Sequence, residues 1–223
     1  MKYYLFIILL LSSFILGDTT ANVGLTLVDD DITLNTKITH SAEKGNWQTN
    51  YQTNYIYKRV DGKEKVNDLY FQVKQNYKLT DKSYALGVVQ LDYDKLRPNY
   101  TLRTVLGAGY GYKLLKTDNW KISNEVSLAY LNSSSNELIV RNSLWISYIF
   151  SEKFNITNKL LYESGKDMYL KNETSLMYKL TDKVSLGVSN TYTDSVESKN
   201  IFTLNVGVKL WEKENGQWAE KEK

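Results

Sequence analysis

A two-residue rhythm of apolar and polar side chains constrains this chain more than any other feature. Phe202, Leu204, Val206, Val208 and Leu210 alternate with Thr203, Asn205, Gly207 and Lys209. Leu138, Val140, Leu144, Ile146, Tyr148 and Phe150 share one parity, with Arg141, Ser143 and Ser147 on the other. Leu69, Phe71, Val73, Tyr77 and Leu79 alternate with Tyr70, Gln72, Lys74, Asn76 and Lys78. Residues two apart point to the same side of a strand and to nearly opposite sides of a helix, so these runs are strands with one wet face.

Between turn signals the sequence predicts about twelve strands: 20–27, 32–40, 47–58, 66–79, 83–93, 100–114, 119–131, 137–150, 154–163, 168–180, 183–193 and 200–211. Most are longer than the roughly 5–6 residues of a strand in a soluble protein and match the roughly 9–11 of a tilted membrane strand. The single proline, Pro98, falls between strands, where its missing N–H removes no ladder bond.

A short repeat orients the strands. Tyr77-Lys78-Leu79-Thr80-Asp81-Lys82 recurs as Tyr178-Lys179-Leu180-Thr181-Asp182-Lys183, with related forms starting at Tyr112 and Tyr148. These aromatic-ended tight turns close strands 4/5, 6/7, 8/9 and 10/11, hence one end of the sheet. With an even strand number both termini join them there. The predicted fold is all-β, an antiparallel up-and-down transmembrane β-barrel of about twelve strands. A soluble exported β-sandwich or barrel that binds a hydrophobic ligand or partner is the alternative, since alternation alone does not say which face is inside.

Residues 1–17 hold Lys2 and a 14-residue apolar stretch, Tyr3–Leu16. That is shorter than the roughly 20 residues of a spanning helix and suits a cleaved signal peptide, with cleavage after Gly17 or Ala21. The barrel domain is then 18–211, followed by a charged tail, 212–223, expected to be disordered. Export to a Gram-negative-type outer membrane follows, with the barrel-assembly machinery reading the last strand through Trp211.

The absence of Cys excludes a disulfide scaffold and a thiolate site, and a single His excludes a histidine metal cluster. With 28 basic and 25 acidic side chains and no basic block, no nucleic-acid partner is expected. No metal and no cofactor are expected. Gly107, Gly109 and Gly111 sit in a strand with no helix after them, so they make room inside a barrel rather than cradle a phosphate. Asp29-Asp30-Asp31 and the pair Asp92/Asp94 read as acidic turns rather than a calcium loop. His40, the one histidine, has no Gly-x-Ser-x-Gly elbow to serve and reads as a polar residue near a turn. No catalytic residue is assigned; a lipid-modifying outer-membrane enzyme remains as a further alternative.

Aromatics gather toward strand ends in two girdles, with Tyr77, Tyr84, Tyr112, Trp120, Tyr148, Phe150, Tyr178 and Trp211 at the tight-turn end. Outer-membrane lipid is the partner such girdles imply. By parity, Lys37, Lys74, Arg103, Glu125, Arg141, Lys159, Lys171 and Glu173 face the lumen, where they either select small ions and solutes or close the barrel with salt bridges. Taking Gly165 as a hairpin centre places Lys159 opposite Lys171, with Glu173 on the diagonal.

The stretch from Leu106 to Asp118, Leu-Gly-Ala-Gly-Tyr-Gly-Tyr-Lys-Leu-Leu-Lys-Thr-Asp, resembles the central signature of the salt-induced outer-membrane protein family, bacterial outer-membrane β-barrels of unknown function. Gly17–Leu25 is similar to that family's opening strand, Leu180–Leu186 to a late hairpin, and Asp92-Tyr93-Asp94 to an acidic site before the central strand. The resemblance implies an outer-membrane location and an association with salt or osmotic stress, and no reaction. Together these readings point to a non-enzymatic narrow pore or structural envelope protein.

Overall fold

The computed structural model describes residues 17–28, 31–96, 101–134, 136–166, 168–194 and 198–211; of 17, 25–28, 31, 210 and 211 it describes the backbone only. The expected leader up to residue 16, Asp29, Asp30, Pro98, the charged tail 212–223 and the Trp211 side chain lie outside the described residues.

Twelve strands follow in order: β1 (Gly17–Val28), β2 (Asp31–Lys44), β3 (Trp47–Val60), β4 (Lys63–Lys78), β5 (Ser83–Asp94), β6 (Leu102–Lys116), β7 (Trp120–Asn132), β8 (Asn136–Ser151), β9 (Phe154–Ser164), β10 (Tyr169–Lys179), β11 (Val184–Asp194) and β12 (Lys199–Trp211). Each pairs antiparallel with its sequence neighbours, and β1 with β12, so the sheet closes on itself. Every strand end falls within four residues of the sequence-based span. The largest difference is in β2, which continues past His40 because Ser41, Ala42, Glu43 and Lys44 keep pairing with β3 after the apolar alternation has ended.

The turns explain the repeat. In both Thr-Asp-Lys turns the threonine hydroxyl accepts backbone N–H groups: Thr80 Oγ1 from Lys82 and Ser83 at 3.2 and 3.0 Å, Thr181 Oγ1 from Lys183 and Val184 at the same distances. The lysine before each threonine pairs with the aspartate after it, Lys78 with Asp81 at 2.6 Å and Lys179 with Asp182 at 2.7 Å. These hydrogen-bonded ion pairs hold both exposed turn carboxyls below the ordinary carboxylate range. At the opposite end Asp61 and Gly62 both have positive φ, 50° and 73°, the two-residue hairpin geometry whose twist matches its strands.

Strand parity sorts the side chains. Leu138, Leu106, Leu128, Leu204 and Phe202 stand 56–68% exposed on the outer face. In water so much exposed apolar surface is a liability; against hydrocarbon it is what a barrel requires. From Leu138 to Phe150 the outer stripe of β8 runs about 40 Å at ~3.3 Å per residue, or about 30 Å along the axis at a tilt near 40°, enough to cover a ~25 Å apolar band. At the tight-turn end Trp120 lies 4.4 Å from Tyr148, Tyr148 4.5 Å from Phe150, and Trp47 4.8 Å from Tyr77, ring centre to ring centre.

Candidate functional site: the lumen

Twelve strands about 4.8 Å apart and tilted near 40° enclose a backbone cylinder about 24 Å across, too wide for one layer of aliphatic side chains to fill. What fills it here is charge. Lys37 on β2 donates to Glu173 on β10 at 2.9 Å, and Lys74 on β4 to Glu125 on β7 at 2.6 Å. Arg103 on β6 pairs with Glu163 on β9, and Lys199 on β12 reaches Asp94 on β5 at 2.6 Å. None of these strand pairs are neighbours in the sheet, so each bond crosses the interior.

The half of the lumen away from the tight turns is packed. Glu163 is 1% exposed and sits between two guanidinium groups, Arg103 and Arg141, with Arg141 Nε donating at 2.7 Å. Arg103 also donates to Asp92 at 3.0 Å, and Arg141 Nη2 donates to Gln90 Oε1 at 2.6 Å. Gln90, 0% exposed, donates in turn to Asp92 at 2.7 Å, so two cations and two carboxylates balance around one buried amide. The Arg103 guanidinium stacks 4.8 Å over the Tyr169 ring, and the Lys171 ammonium lies 4.6 Å over that of Tyr70. Apolar clusters of Val105, Ala129, Leu131 and Ile139, and of Ile56, Val66 and Ile201, fill the walls at this level. Voids of about 50 and 30 Å³ lie within this half and at its border with the other.

Toward the tight turns the lumen opens into a cavity of about 960 Å³. Its wall carries seven lysines (Lys37, Lys74, Lys78, Lys113, Lys116, Lys121 and Lys159) against four carboxylates, Asp18, Glu43, Glu125 and Glu173. Glu173 takes both Lys37 and Lys171, the latter at 2.7 Å. The barrel therefore combines a charge-balanced constriction with a basic vestibule below it.

The eight charged residues singled out by parity all lie on the inward stripe, in the two tiers just described. The pairing of β9 with β10 differs from the expectation. Lys159 lies opposite Glu173, and Lys171 opposite Leu161, so the like charges do not face each other. The turn is centred near 166 rather than on Gly165, and the shift puts an acid directly across from Lys159. Tyr84 leaves the girdle: it faces inward, and its hydroxyl donates to Glu125 at 2.7 Å. Gly111 makes this fit, since a Cβ there would overlap the Tyr84 ring. Asp92 and Asp94 form no turn; both are inward members of β5, bonded to Arg103 and Lys199. Tyr77, Tyr112, Trp120, Tyr148, Phe150 and Tyr178 lie on the outer parity near the tight turns. Trp47, half exposed against Tyr77, belongs with them and is legible as an aromatic opening β3. His40 is buried, its Nδ1 2.8 Å from Thr19 Oγ1 and its ring 5.9 Å from that of Tyr51, at the edge of the vestibule.

Residues 29–218 match the model of a protein family described as "Protein of unknown function, DUF481". Comparison with curated proteins gives no sequence match. Among solved structures, the NanC porin superposes with a TM-score of 0.57 at 14% identity, over 86% of this chain and 100% of that one. The KdgM porin in complex with disordered oligogalacturonate gives 0.52 at 10%, over 85% and 98%. An outer membrane channel from Pseudomonas putida F1 gives 0.52 at 12%, over 86% and 94%. At these identities the likeness establishes a shared porin-type barrel fold.

Proposed function

The chain belongs to the DUF481 family, whose description carries no activity, and from its lumen we propose a non-enzymatic outer-membrane barrel that is constricted, narrow and anion-preferring. The observation that carries this reading is the Arg103–Glu163–Arg141–Gln90 layer, buried across the lumen above a vestibule with more lysines than carboxylates. A solute must displace paired, desolvated ions to pass, while the vestibule lowers the electrostatic barrier for anions. Single-channel recording of the purified chain in planar bilayers tests it. Small conductance with anion preference is expected; the conductance of an open pore of this diameter, or cation preference, would overturn it.

The location rests on the outer apolar band and its aromatic rim. A membrane-fraction band whose gel mobility changes on boiling is its expected signature. Recovery as a heat-insensitive soluble protein would favour the exported ligand-binding alternative. A lipid-modifying activity is disfavoured by the packing of His40 between Thr19 and Tyr51. Leader removal after Gly17 fits the barrel better than removal after Ala21, because Thr19, Thr20 and Ala21 pair with β2 and β12. Recognition by the assembly machinery belongs to β12, which makes the closing seam. The association with salt or osmotic stress rests on the family resemblance, and protein abundance after a shift to high salt checks it.

A further inference from the structure

Lys159 stands on β9 where the constriction meets the vestibule, and it lines both the large cavity and the void of about 30 Å³ at its border. Register sets Glu173 opposite it on β10 and Trp145 opposite it on β8. The carboxylates around it are already taken. Glu173 receives Lys37 at 2.9 Å on one oxygen and Lys171 at 2.7 Å on the other. One oxygen of Glu125 receives both the Lys74 ammonium at 2.6 Å and the Tyr84 hydroxyl at 2.7 Å. Lys159 itself makes no hydrogen bond or ion pair among the described residues.

The charges acting on it include Glu125 and Glu173 on one side and Lys37, Lys74 and Lys171 on the other. With Lys159, that group holds four ammonium ions against two carboxylates and is left with two positive charges in excess. Arg141, which lines the same small void, is matched by Glu163 within its own layer.

An ammonium has three N–H donors and no acceptor. Lys37 and Lys74 each spend one on a glutamate and keep two for another acceptor, and Lys159 keeps all three. Trp145, which lines the vestibule, adds an indole N–H that can only donate. A carboxylate or a phosphodiester would bring one negative charge and leave half of the excess unmatched. A phosphate monoester brings close to two at neutral pH, with three acceptor oxygens. A cavity of about 960 Å³ has room for whatever such a group is attached to.

We infer that Lys159, with Lys37 and Lys74, forms a subsite at the top of the vestibule for a doubly charged tetrahedral oxyanion, inorganic phosphate or a phosphate monoester. The ion pairs of Lys37 and Lys74 stay in place, and the solute supplies the counter-charge that Lys159 lacks. This rests on the anion-preferring reading of the lumen and names the class of anion.

Inorganic phosphate titrated at neutral pH and fixed ionic strength into the purified barrel in micelles, followed by phosphorus NMR, should bind saturably. Sulfate, of the same shape and charge, should compete, and chloride should not. Lys159→Met should weaken binding by about tenfold or more, the loss expected of one hydrogen bond to a charged group. Lys159→Arg should retain binding, and Lys153→Met, in the exposed turn between β8 and β9, should leave it unchanged. Boiling-dependent mobility checks that each variant is folded. Binding without saturation, equal binding by Lys159→Met, or equal competition by chloride would overturn the subsite; anion preference of the parent in planar bilayers would then leave the broader reading standing. Cation preference of the parent would overturn that reading, and this inference with it.

Discussion

Glu163→Gln is the most informative single change in the constriction. The side chain keeps its shape and loses the charge that two guanidinium groups share. Arg103 retains Asp92 at 3.0 Å, whereas Arg141 is left with the neutral Gln90 as its hydrogen-bond partner in this layer. Removing one partner of a buried ion pair costs about 3–5 kcal/mol. The vestibule beneath admits water, so the lower figure applies, and ~3 kcal/mol at ~1.4 kcal/mol per tenfold is about a hundredfold shift in the ratio of closed to open constriction. Asp92→Asn should do less, because the Asp92 side chain is 17% exposed against 2% for Glu163. Planar-bilayer recording reads the effect as open probability, and urea unfolding in micelles reads it as a lowered midpoint. If Glu163→Gln keeps wild-type conductance and midpoint, the layer neither closes nor holds the lumen, and the reasoning from buried charge fails.

Lys159→Glu places a carboxylate opposite Glu173, which should lower anion preference, measured as reversal potential in a salt gradient, and lower stability as well. Gly111→Leu should expel the Tyr84 ring and break its bond to Glu125, costing about 1–3 kcal/mol of stability, seen as a lower temperature for the boiling-dependent mobility change. The Asp81 and Asp182 carboxyls should titrate below an unpaired turn aspartate in carboxyl-carbon NMR, and Lys78→Ala should return Asp81 toward the ordinary range. Their small contribution to stability is present above the unfolded carboxylate pKa and is lost as the pH falls through the lowered values.

Strand number, boundaries and the shared end of the tight turns are legible because pleating writes directly into side-chain alternation. β5 shows where that fails. Leu86 and Val88 face in while Val89 and Leu91 face out, so both faces are apolar and parity is hidden; nearness to a strand end then points Tyr84 to the girdle, although it faces inward. The offset of β9 against β10 is set by the turn around residue 166, and no local pattern around Lys159 and Lys171 fixes it. The constriction was half visible. Arg103 and Arg141 stand out as charges on a strand, but Gln90 and Glu163 acquire their role only when β5 faces β8 and β9 faces β6 across the lumen.

The seam between β1 and β12 has a kinetic meaning. Every other ladder joins strands consecutive in sequence, and the seam alone joins opposite ends of the barrel domain, through six residue pairs with an irregularity at Thr19/Thr20. Hairpins can therefore form one after another by local closure, leaving a curled ribbon with two free edges until the final ladder zips. The rate of reaching the native state is then set at the two termini. A circular permutant that joins them and opens at Asp61-Gly62 would move this slow step to the β3–β4 ladder while keeping every other neighbour relation intact.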